Sequence, residues 1–237
     1  MKQPHLRCEP RDINNYCLLP GDPGRSKRIA ELLEDVKHIS FNRGYNIYSG
    51  IYKGVPVTVC STGIGGSSAA IAVHELVNCG AKTLIRVGSC GALQKGLKIG
   101  DTIIPEGAVR SESTSLLYYP REHPALPSLD VFKALKSSKV KVGFINSHDG
   151  FYHKGSDEMD QFWSRVGLIG SDFETAPLFI VAEYLKVKAG SVLNVVSRFG
   201  GSDAASVQSY ASGEKAAMKG ERKSIMIALS AIKKIEG

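Results

Sequence analysis

The sequence predicts an α/β fold with a largely parallel or mixed sheet. Stretches rich in β-forming residues alternate with helical stretches along the chain, and glycine-rich loops follow several of the predicted strands. The composition, 43% hydrophobic and 22% charged, is that of a globular protein with a full core. The 237 residues show no 20–50-residue repeat, so we expect a single domain over residues 1–237.

The first predicted elements lie in the N-terminal quarter of the chain. A short strand, Tyr16–Leu19, leads through a Gly/Pro loop into a helix. Apolar residues of that helix recur at the helical spacing i, i+3, i+4, i+7, and they are Ile29, Leu32, Leu33 and Val36. Two β-rich stretches, Tyr45–Tyr52 and Val55–Cys60, are separated by the two residues of a hairpin turn.

The remaining elements continue the alternation. After a glycine-rich loop over Ser61–Ser68, an apolar helix passes through Ile71 and Leu76 to Gly80, and a buried strand follows at Thr83–Val87. Further strands are predicted at Asp101–Ile104, Val140–Ile145 and Ser191–Val196, and further helices at Leu129–Leu135, Thr175–Leu185 and Ala205–Ile235. Because ligands of such folds bind where strands end in loops, we expect one cleft to gather the glycine-rich segments.

Several protein classes are excluded. The longest apolar runs, such as Pro177–Ala182, are too short to span a bilayer, and Met1–His5 has no apolar segment of a signal peptide. We therefore expect no membrane association and a cytoplasmic location. The five cysteines contain no CxxC pair, which agrees with a reducing compartment, and neither they nor the six histidines have metal-site spacing. We expect no metal.

The net charge of +7 lies mostly at the C-terminal end. Residues 186–237 carry nine Lys/Arg and four Asp/Glu side chains. The lysines there are mixed with Glu214, Glu221 and Glu236, a pattern typical of a solvated helix face. No basic stripe is interleaved with aromatic residues, so no nucleic-acid partner is expected. A non-catalytic polyanion-binding protein is the remote alternative.

Two glycine-rich loops combine backbone amides with arginine. Gly21-Asp-Pro-Gly-Arg25 and Arg86-Val-Gly-Ser-Cys-Gly91 bring donors that suit a phosphate: N–H groups, two guanidinium groups and the Ser89 hydroxyl. The alternative is that the glycines only form turns and the arginines only salt bridges. In the third loop the last glycine of a dinucleotide fingerprint is replaced by Ser68, so no nucleotide cofactor is expected.

A second set of residues suits a sugar and a planar base. Asp172 and Glu174 flank Phe173, and in extended backbone the two carboxylates share one face, where they can hold a vicinal diol. The alternative is a solvated carboxylate pair at a helix N-terminus. Phe151 and Tyr152 offer either an aromatic wall or a core contact, and Arg198 follows an apolar strand.

The four motifs, in this order, resemble the nucleoside phosphorylases of the purine nucleoside/uridine phosphorylase family. The motifs are Gly21–Arg25, Ser61–Gly66, Arg86–Gly91 and Phe173–Ala176, and the resemblance covers nearly the whole chain. It implies a central mixed, partly barrel-like sheet flanked by helices, in a hexamer built as a trimer of dimers. It also implies phosphorolysis, in which inorganic phosphate attacks C1′ of a nucleoside and releases the base, with no organic cofactor.

The same resemblance assigns the site residues. The residues implied to bind phosphate are Gly21, Arg25, Arg43, Arg86 and Ser89, with Arg43 contributed by the adjacent subunit. The residues implied to bind the nucleoside are His5, Phe151, Asp172, Phe173, Glu174 and Arg198, with His5 reaching across the dimer interface. The expected catalytic residues are Arg86, Glu174 and Arg198.

The base preference depends on the segment Val196-Ser197-Arg198. The purine branch has an aspartate here that contacts purine N7, whereas an arginine resembles the uridine phosphorylases, where it would offset negative charge on a uracil oxygen. Uridine is therefore the expected substrate, in nucleoside salvage. The Gln/Arg pair of that branch is missing after Tyr152, and the candidate substitutes are His153, Lys154 and Gln161. Asp203 is a candidate for the purine role, so a purine nucleoside or methylthioadenosine phosphorylase remains the alternative.

Overall fold

The computed structural model describes residues 1–152, 154–201, 205, 208 and 214–237. The strands are β1 Tyr16–Leu19, β2 Glu34–Asn42, β3 Tyr45–Tyr52, β4 Val55–Cys60, β5 Thr83–Ala92, β6 Thr102–Ser111, β7 Lys141–His148, β8 Gly170–Asp172 and β9 Lys188–Ser197. The helices are α1 Pro23–Ala30, α2 Gly66–Asn78, α3 Leu129–Leu135, α4 Ser156–Val166, α5 Thr175–Tyr184 and α6 Lys215–Glu236.

The strands of this described part form one mixed sheet in the order β2-β3-β4-β1-β5-β8-β7-β6-β9. Strand β5 also pairs with β9 in parallel, so β5, β8, β7, β6 and β9 close into a barrel. On its other edge β5 pairs in parallel with β1. The predicted α/β fold with a mixed, partly barrel-like sheet is confirmed, and β5 stands where the barrel joins the open part of the sheet.

Helices cover the sheet on two sides. Helices α2 and α5 pack on one side, with Leu76 and Phe179 in the core, and α1, α3 and α6 pack on the other, with Ile29 and Leu229 buried. Neighbouring residues of β5 point to opposite layers, Leu84 toward α2 and α5 and the next residue toward α1 and α6. Strand β5 is therefore buried on both faces.

The local sequence signals place some elements correctly and miss others. β1, β3, β4 and α3 have the predicted bounds. The predicted helix through Val36 is wrong beyond Ala30, because the chain turns there and Val36 lies on β2, paired with β3. β2 is largely exposed, α4 has no buried residue and β8 has three residues, so none has the apolar pattern that would predict it.

Two further properties concern membranes and metals. In the described residues no helix has the length and apolar character needed to cross a membrane. The same part of the chain contains no group of three or more His, Cys, Asp or Glu side chains placed to hold a metal ion. All five cysteines are free and buried.

Candidate active site

Arg86 on β5 is held by two carboxylates. Its Nε donates to Asp172 Oδ2 at 2.9 Å, and its Nη2 lies 2.7 Å from Glu174 Oε2. The guanidinium group folds back along its own strand, where a Cβ at Gly88 would lie 2.5 Å from its Cζ atom. The glycine of the Arg86–Gly91 motif therefore leaves the space that the arginine occupies.

Asp172 is saturated with donors. Besides Arg86, it accepts hydrogen bonds from the Ser147 hydroxyl at 2.6 Å and from the backbone N–H and hydroxyl of Thr175. The carboxylate thus ties β7, β8 and the start of α5 to Arg86. Asp172 and Glu174 are only 4% and 5% exposed, so the alternative of a solvated carboxylate pair is wrong. Asp172 holds Arg86, and its direct contact with the nucleoside stays a prediction.

Glu174 has a different set of partners from Asp172. Its Oε1 accepts a 2.6 Å hydrogen bond from the backbone N–H of Gly65, while its Oε2 pairs with Arg86. Burial raises the pKa of Glu174, with Arg86 opposing the shift and Asp172 adding to it. Burial lowers the pKa of Arg86, but the two carboxylates outweigh it and the net shift is upward. The guanidinium therefore stays charged.

Arg25 is a second buried cation that contacts β5. Its Nη2 donates to Ser89 Oγ at 2.7 Å, its Nη1 donates to the Val87 carbonyl at 2.8 Å, and its Nε donates to Glu221 Oε2 at 2.9 Å. Two of these partners belong to β5, the strand that carries Arg86. The structure therefore brings Arg25, Ser89 and Arg86 to one strand.

The backbone amides of the first loop are arranged differently from the expectation. Pro23–Arg25 form the first turn of α1, and the Asp22 side chain caps it by accepting from the N–H groups of Gly24 and Arg25, both at 2.8 Å. Those two amides are therefore occupied. Gly21 lies just before the cap, and its carbonyl accepts from Gly63 N at 3.1 Å, which joins this loop to the Ser61–Ser68 loop.

Glu221 on α6 is a functional candidate that the sequence pattern missed. It is 2% exposed, so the interpretation of this part of α6 as a solvated face is wrong for Glu221. Its oxygens accept from Arg25 and also from Arg28 Nε at 2.6 Å. Helical spacing was the available signal, because Glu221 lies on the buried stripe that includes Ala217, Ser224 and Ala228.

Aromatic rings lie beside the carboxylates. The Phe173 ring centroid is 4.7 Å from that of His148 and 6.1 Å from that of Phe151, and Phe151 in turn contacts Tyr152. His148, at the end of β7, was also missed, although the Ser147–Gly150 segment is polar and follows a predicted strand. The half-buried rings of His148, Phe151 and Phe173 form an aromatic wall, and Phe173 is the residue before Glu174.

His5 and Arg43 are linked to each other through Asn42. Asn42 Nδ2 donates to the His5 carbonyl at 2.6 Å, and Arg43 follows in the β2–β3 turn, exposed and with φ of +52°. His5 Nδ1 lies 2.6 Å from Glu75 Oε1 on α2. Within the described residues, neither His5 nor Arg43 makes a hydrogen bond or ion pair with Arg86 or Glu174.

The residues proposed for base selection have different positions. Arg198 is exposed directly after β9, and Gln161 is exposed on α4. His153 and Asp203 lie outside the described residues. The structure therefore groups Arg25, Ser89, Arg86, Glu174, Phe173 and Phe151 around the ends of β5, β7 and β8, and leaves His5 and Arg43 apart from them.

This grouping suits a bound anion next to a polar, partly planar ligand. Two guanidinium groups and a hydroxyl can hold a tetrahedral oxyanion, since each N–H or O–H donor meets a negative oxygen. Glu174 supplies a fixed negative charge beside Arg86, and the aromatic wall supplies a flat apolar surface. The site can thus align an anionic nucleophile with a centre that becomes positive during bond cleavage.

The chain is similar to proteins of known family. A family model described as the phosphorylase superfamily matches residues 15–233. Guanosine phosphorylase of Halorubrum lacusprofundi is 40% identical, over 82% of this chain and 83% of its own length. Uridine phosphorylase of Thermococcus kodakarensis is 39% identical, over 81% of this chain and 76% of its own length.

Solved structures agree with these sequence relatives. Uridine phosphorylase from Vibrio fischeri superposes with a TM-score of 0.91 at 38% identity, covering 98% of each chain. Purine nucleoside phosphorylase from Toxoplasma gondii, in complex with immucillin-H, superposes with a TM-score of 0.88 at 27% identity, over 98% of this chain and 95% of its own.

Proposed function

The chain belongs to the nucleoside phosphorylase family, and we propose that it is the pentosyltransferase that cleaves uridine with inorganic phosphate to uracil and ribose 1-phosphate. The observation that carries this proposal is the buried Arg86–Glu174 pair, with Arg25 and Ser89 on the same strand. Uridine phosphorylases among the relatives and the solved structures support uridine as the substrate.

In this proposal phosphate binds between Arg25, Arg86, Ser89 and the backbone of Gly21. Protein partners orient both arginines, so phosphate binding costs little reorganisation. Because two cations face one small anion, they also limit the repulsion between phosphate and the Glu174 carboxylate. Phosphate is a co-substrate, and we propose that no metal or organic cofactor takes part.

Glu174 contacts the ribose. As the bond from C1′ to the base breaks, the sugar develops positive charge of the oxocarbenium type. The Glu174 carboxylate can accept hydrogen bonds from the ribose 2′- and 3′-hydroxyls and stabilise that charge, while phosphate attacks C1′. The base stacks on Phe173 and Phe151, and Arg198 offsets the negative charge that develops on a uracil oxygen.

We further propose that the complete site needs two chains. Asn42, next to the exposed Arg43, donates to the His5 carbonyl, and neither His5 nor Arg43 is bonded to Arg86 among the described residues. This supports the proposal that both residues reach a neighbouring subunit. There His5 would contact the ribose 5′-hydroxyl and Arg43 the phosphate. The assembly would be a hexamer, a trimer of such dimers.

The cellular setting is part of the same proposal. Residues 1–237 form a single catalytic domain, which the family match over residues 15–233 supports. The free, buried cysteines support a reducing compartment, for which we propose the cytoplasm. Nucleoside salvage is the process, with no nucleic-acid partner.

A purine nucleoside is the second candidate substrate. The specific observation is that guanosine phosphorylase is as similar to this chain as the uridine phosphorylases are. A methylthioadenosine phosphorylase is a further purine alternative.

The test is an assay of free base with and without phosphate, using uridine, thymidine, inosine, guanosine, adenosine and methylthioadenosine. Uracil release that depends on phosphate is expected. Release of purines without uracil would assign the chain to the purine branch. If no nucleoside is cleaved and the protein instead binds nucleic acid with a steep salt dependence, the polyanion-binding alternative is correct.

A further inference from the structure

Glu221 joins the C-terminal helix to the proposed phosphate site. It is buried on α6, and its Oε2 accepts from Arg25 Nε at 2.9 Å. Its Oε1 accepts from Arg28 Nε at 2.6 Å, and its Oε2 also accepts from Arg28 Nη2 at 2.9 Å. One carboxylate therefore holds two arginines of α1, of which Arg25 faces β5.

We propose that Glu221 is a positioning residue for phosphate, which fixes the Arg25 guanidinium against Ser89. This inference rests on the proposed function of Arg25 and Ser89. The guanidinium contacts of Arg25 include three groups of the described residues: Glu221 at Nε, the Val87 carbonyl at Nη1 and Ser89 Oγ at Nη2. Glu221 is the charged member of the three, so it contributes the strongest of these hydrogen bonds.

The position of Arg25 also determines how the Ser89 hydroxyl is oriented. Arg25 Nη2 donates to Ser89 Oγ, so the oxygen acts as acceptor in that contact. A hydroxyl has one proton to donate, and Arg25, which is only a donor, cannot accept it. Ser89 is therefore oriented as a donor to a phosphate oxygen, and this orientation depends on Arg25 remaining in place.

Helix α6 packs closely against the sheet next to Glu221. A Cβ at Gly220 would overlap Gly100 and the side chain of Asn194, so the helix approaches the sheet closely at the residue before Glu221. Asn194 Nδ2 donates to the Ala217 carbonyl at 2.9 Å, one turn earlier. Because the helix is held so close, a glutamate is long enough to reach α1.

Three variants test the proposal, with phosphate affinity measured by calorimetry and by the phosphate KM. Glu221→Ala removes a charge-assisted hydrogen bond from Arg25, so we expect phosphate affinity to fall about tenfold or more. In Glu221→Gln a single oxygen is shared by Arg25 and Arg28, so a loss of about threefold is expected. The nucleoside KM stays within about twofold of the wild-type value in both, because neither change reaches the proposed nucleoside contacts.

The double variant Arg28→Ala/Glu221→Gln separates positioning from a merely structural role. Removing Arg28 removes the arginine that competes with Arg25 for the glutamine oxygen, so phosphate affinity should return to within about twofold of wild type, although the protein loses a further contact. A structural role would lower affinity further. This double variant also decides the question if Glu221→Ala does not fold.

Glu236→Gln is the matched control, since it removes the same charge from the same helix and affects Tyr16, whose hydroxyl donates to Glu236 at 2.6 Å. Its phosphate affinity should equal that of wild type. Phosphate affinity in Glu221→Ala that is unchanged or tighter overturns the proposal, as does failure of the double variant to recover. Wild-type protein that binds phosphate but cleaves no nucleoside overturns the proposed function alone.

Discussion

Arg86 and Asp172, 86 residues apart in the sequence, are joined by a buried 2.9 Å hydrogen bond. Asp172 is in turn held by Ser147 and Thr175, so the guanidinium group is anchored to two strands and one helix before any ligand binds. A donor fixed in advance stabilises a bound anion without a cost of reorganisation.

Arg86→Ala should abolish most phosphate use. The variant loses a buried cation and leaves two carboxylates, Asp172 and Glu174, without it, so we expect kcat/KM for phosphate to fall about 100-fold, equivalent to about 2.7 kcal/mol. Steady-state kinetics with varied phosphate measures this. Arg11→Ala, at an exposed arginine paired with Glu9, is the control and should keep wild-type kinetics. Similar kinetics for both variants would remove Arg86 from the site.

Glu174→Gln should lower turnover more than it lowers binding. The amide keeps the size of the side chain and can still accept from Gly65 N, but it lacks the negative charge that faces the developing positive sugar. We expect kcat to fall by about 100-fold with a small change in the nucleoside KM. Single-turnover measurements at saturating concentrations of nucleoside and phosphate test the predicted fall in the rate of bond cleavage. A normal kcat would contradict the assigned role of the carboxylate.

Asp172→Asn should move the acid side of the pH profile. Burial and the negative charge of Asp172 both raise the pKa of Glu174, so the carboxyl group stays protonated up to a higher pH than an ordinary glutamate. Since the proposed reaction needs the ionised form, activity is lost as pH falls through this raised pKa. Removing the Asp172 charge lowers the pKa of Glu174, so the acid limb of kcat/KM should move to lower pH.

The control for this experiment is Asp157→Asn, which removes a charge in the exposed first turn of α4. Its pH profile should match that of wild type. An acid limb that stays in place or moves upward in Asp172→Asn would contradict the electrostatic account of Glu174.

Gly88→Ala should displace Arg86. The new methyl group would lie 2.5 Å from the guanidinium carbon and 2.7 Å from Leu193, with no space for it on a buried strand. We expect a loss of about 1–3 kcal/mol in unfolding free energy together with weaker phosphate binding. Gly96→Ala is the control, because a Cβ there meets no atom within 4 Å. Denaturant unfolding and calorimetry compare the unfolding free energy and the phosphate affinity of the two variants. Equal values for Gly88→Ala and Gly96→Ala would contradict the steric argument.

The cysteines should be unreactive in the folded protein. All five are buried, and burial is the main cause that raises the pKa of Cys17, Cys60 and Cys90. The thiolate is the reactive form, so raising the pKa removes it at neutral pH. A disulfide reagent such as DTNB should label none of them rapidly in the native state and all five in guanidinium chloride. Rapid native labelling at neutral pH would show that these side chains are exposed.

The sequence by itself determined the elements with strong local patterns and the motifs that lie at their ends. β1, β3, β4 and α3 follow from apolar spacing and turn residues, because these signals act over a few neighbouring positions. The Gly/Arg motifs indicated a site for an anion at strand ends, since glycine and arginine are informative even without knowledge of the fold.

Only the tertiary structure decided how the site is held. Asp172 anchors Arg86, a role that no local pattern indicated, and Glu221 was expected in solvent and instead holds Arg25. Both outcomes depend on partners far away in the chain, which no local pattern specifies. A buried carboxylate needs partners that the fold supplies, and at Glu221 these are two arginines, so the same residue type is solvated at Glu236 and buried at Glu221.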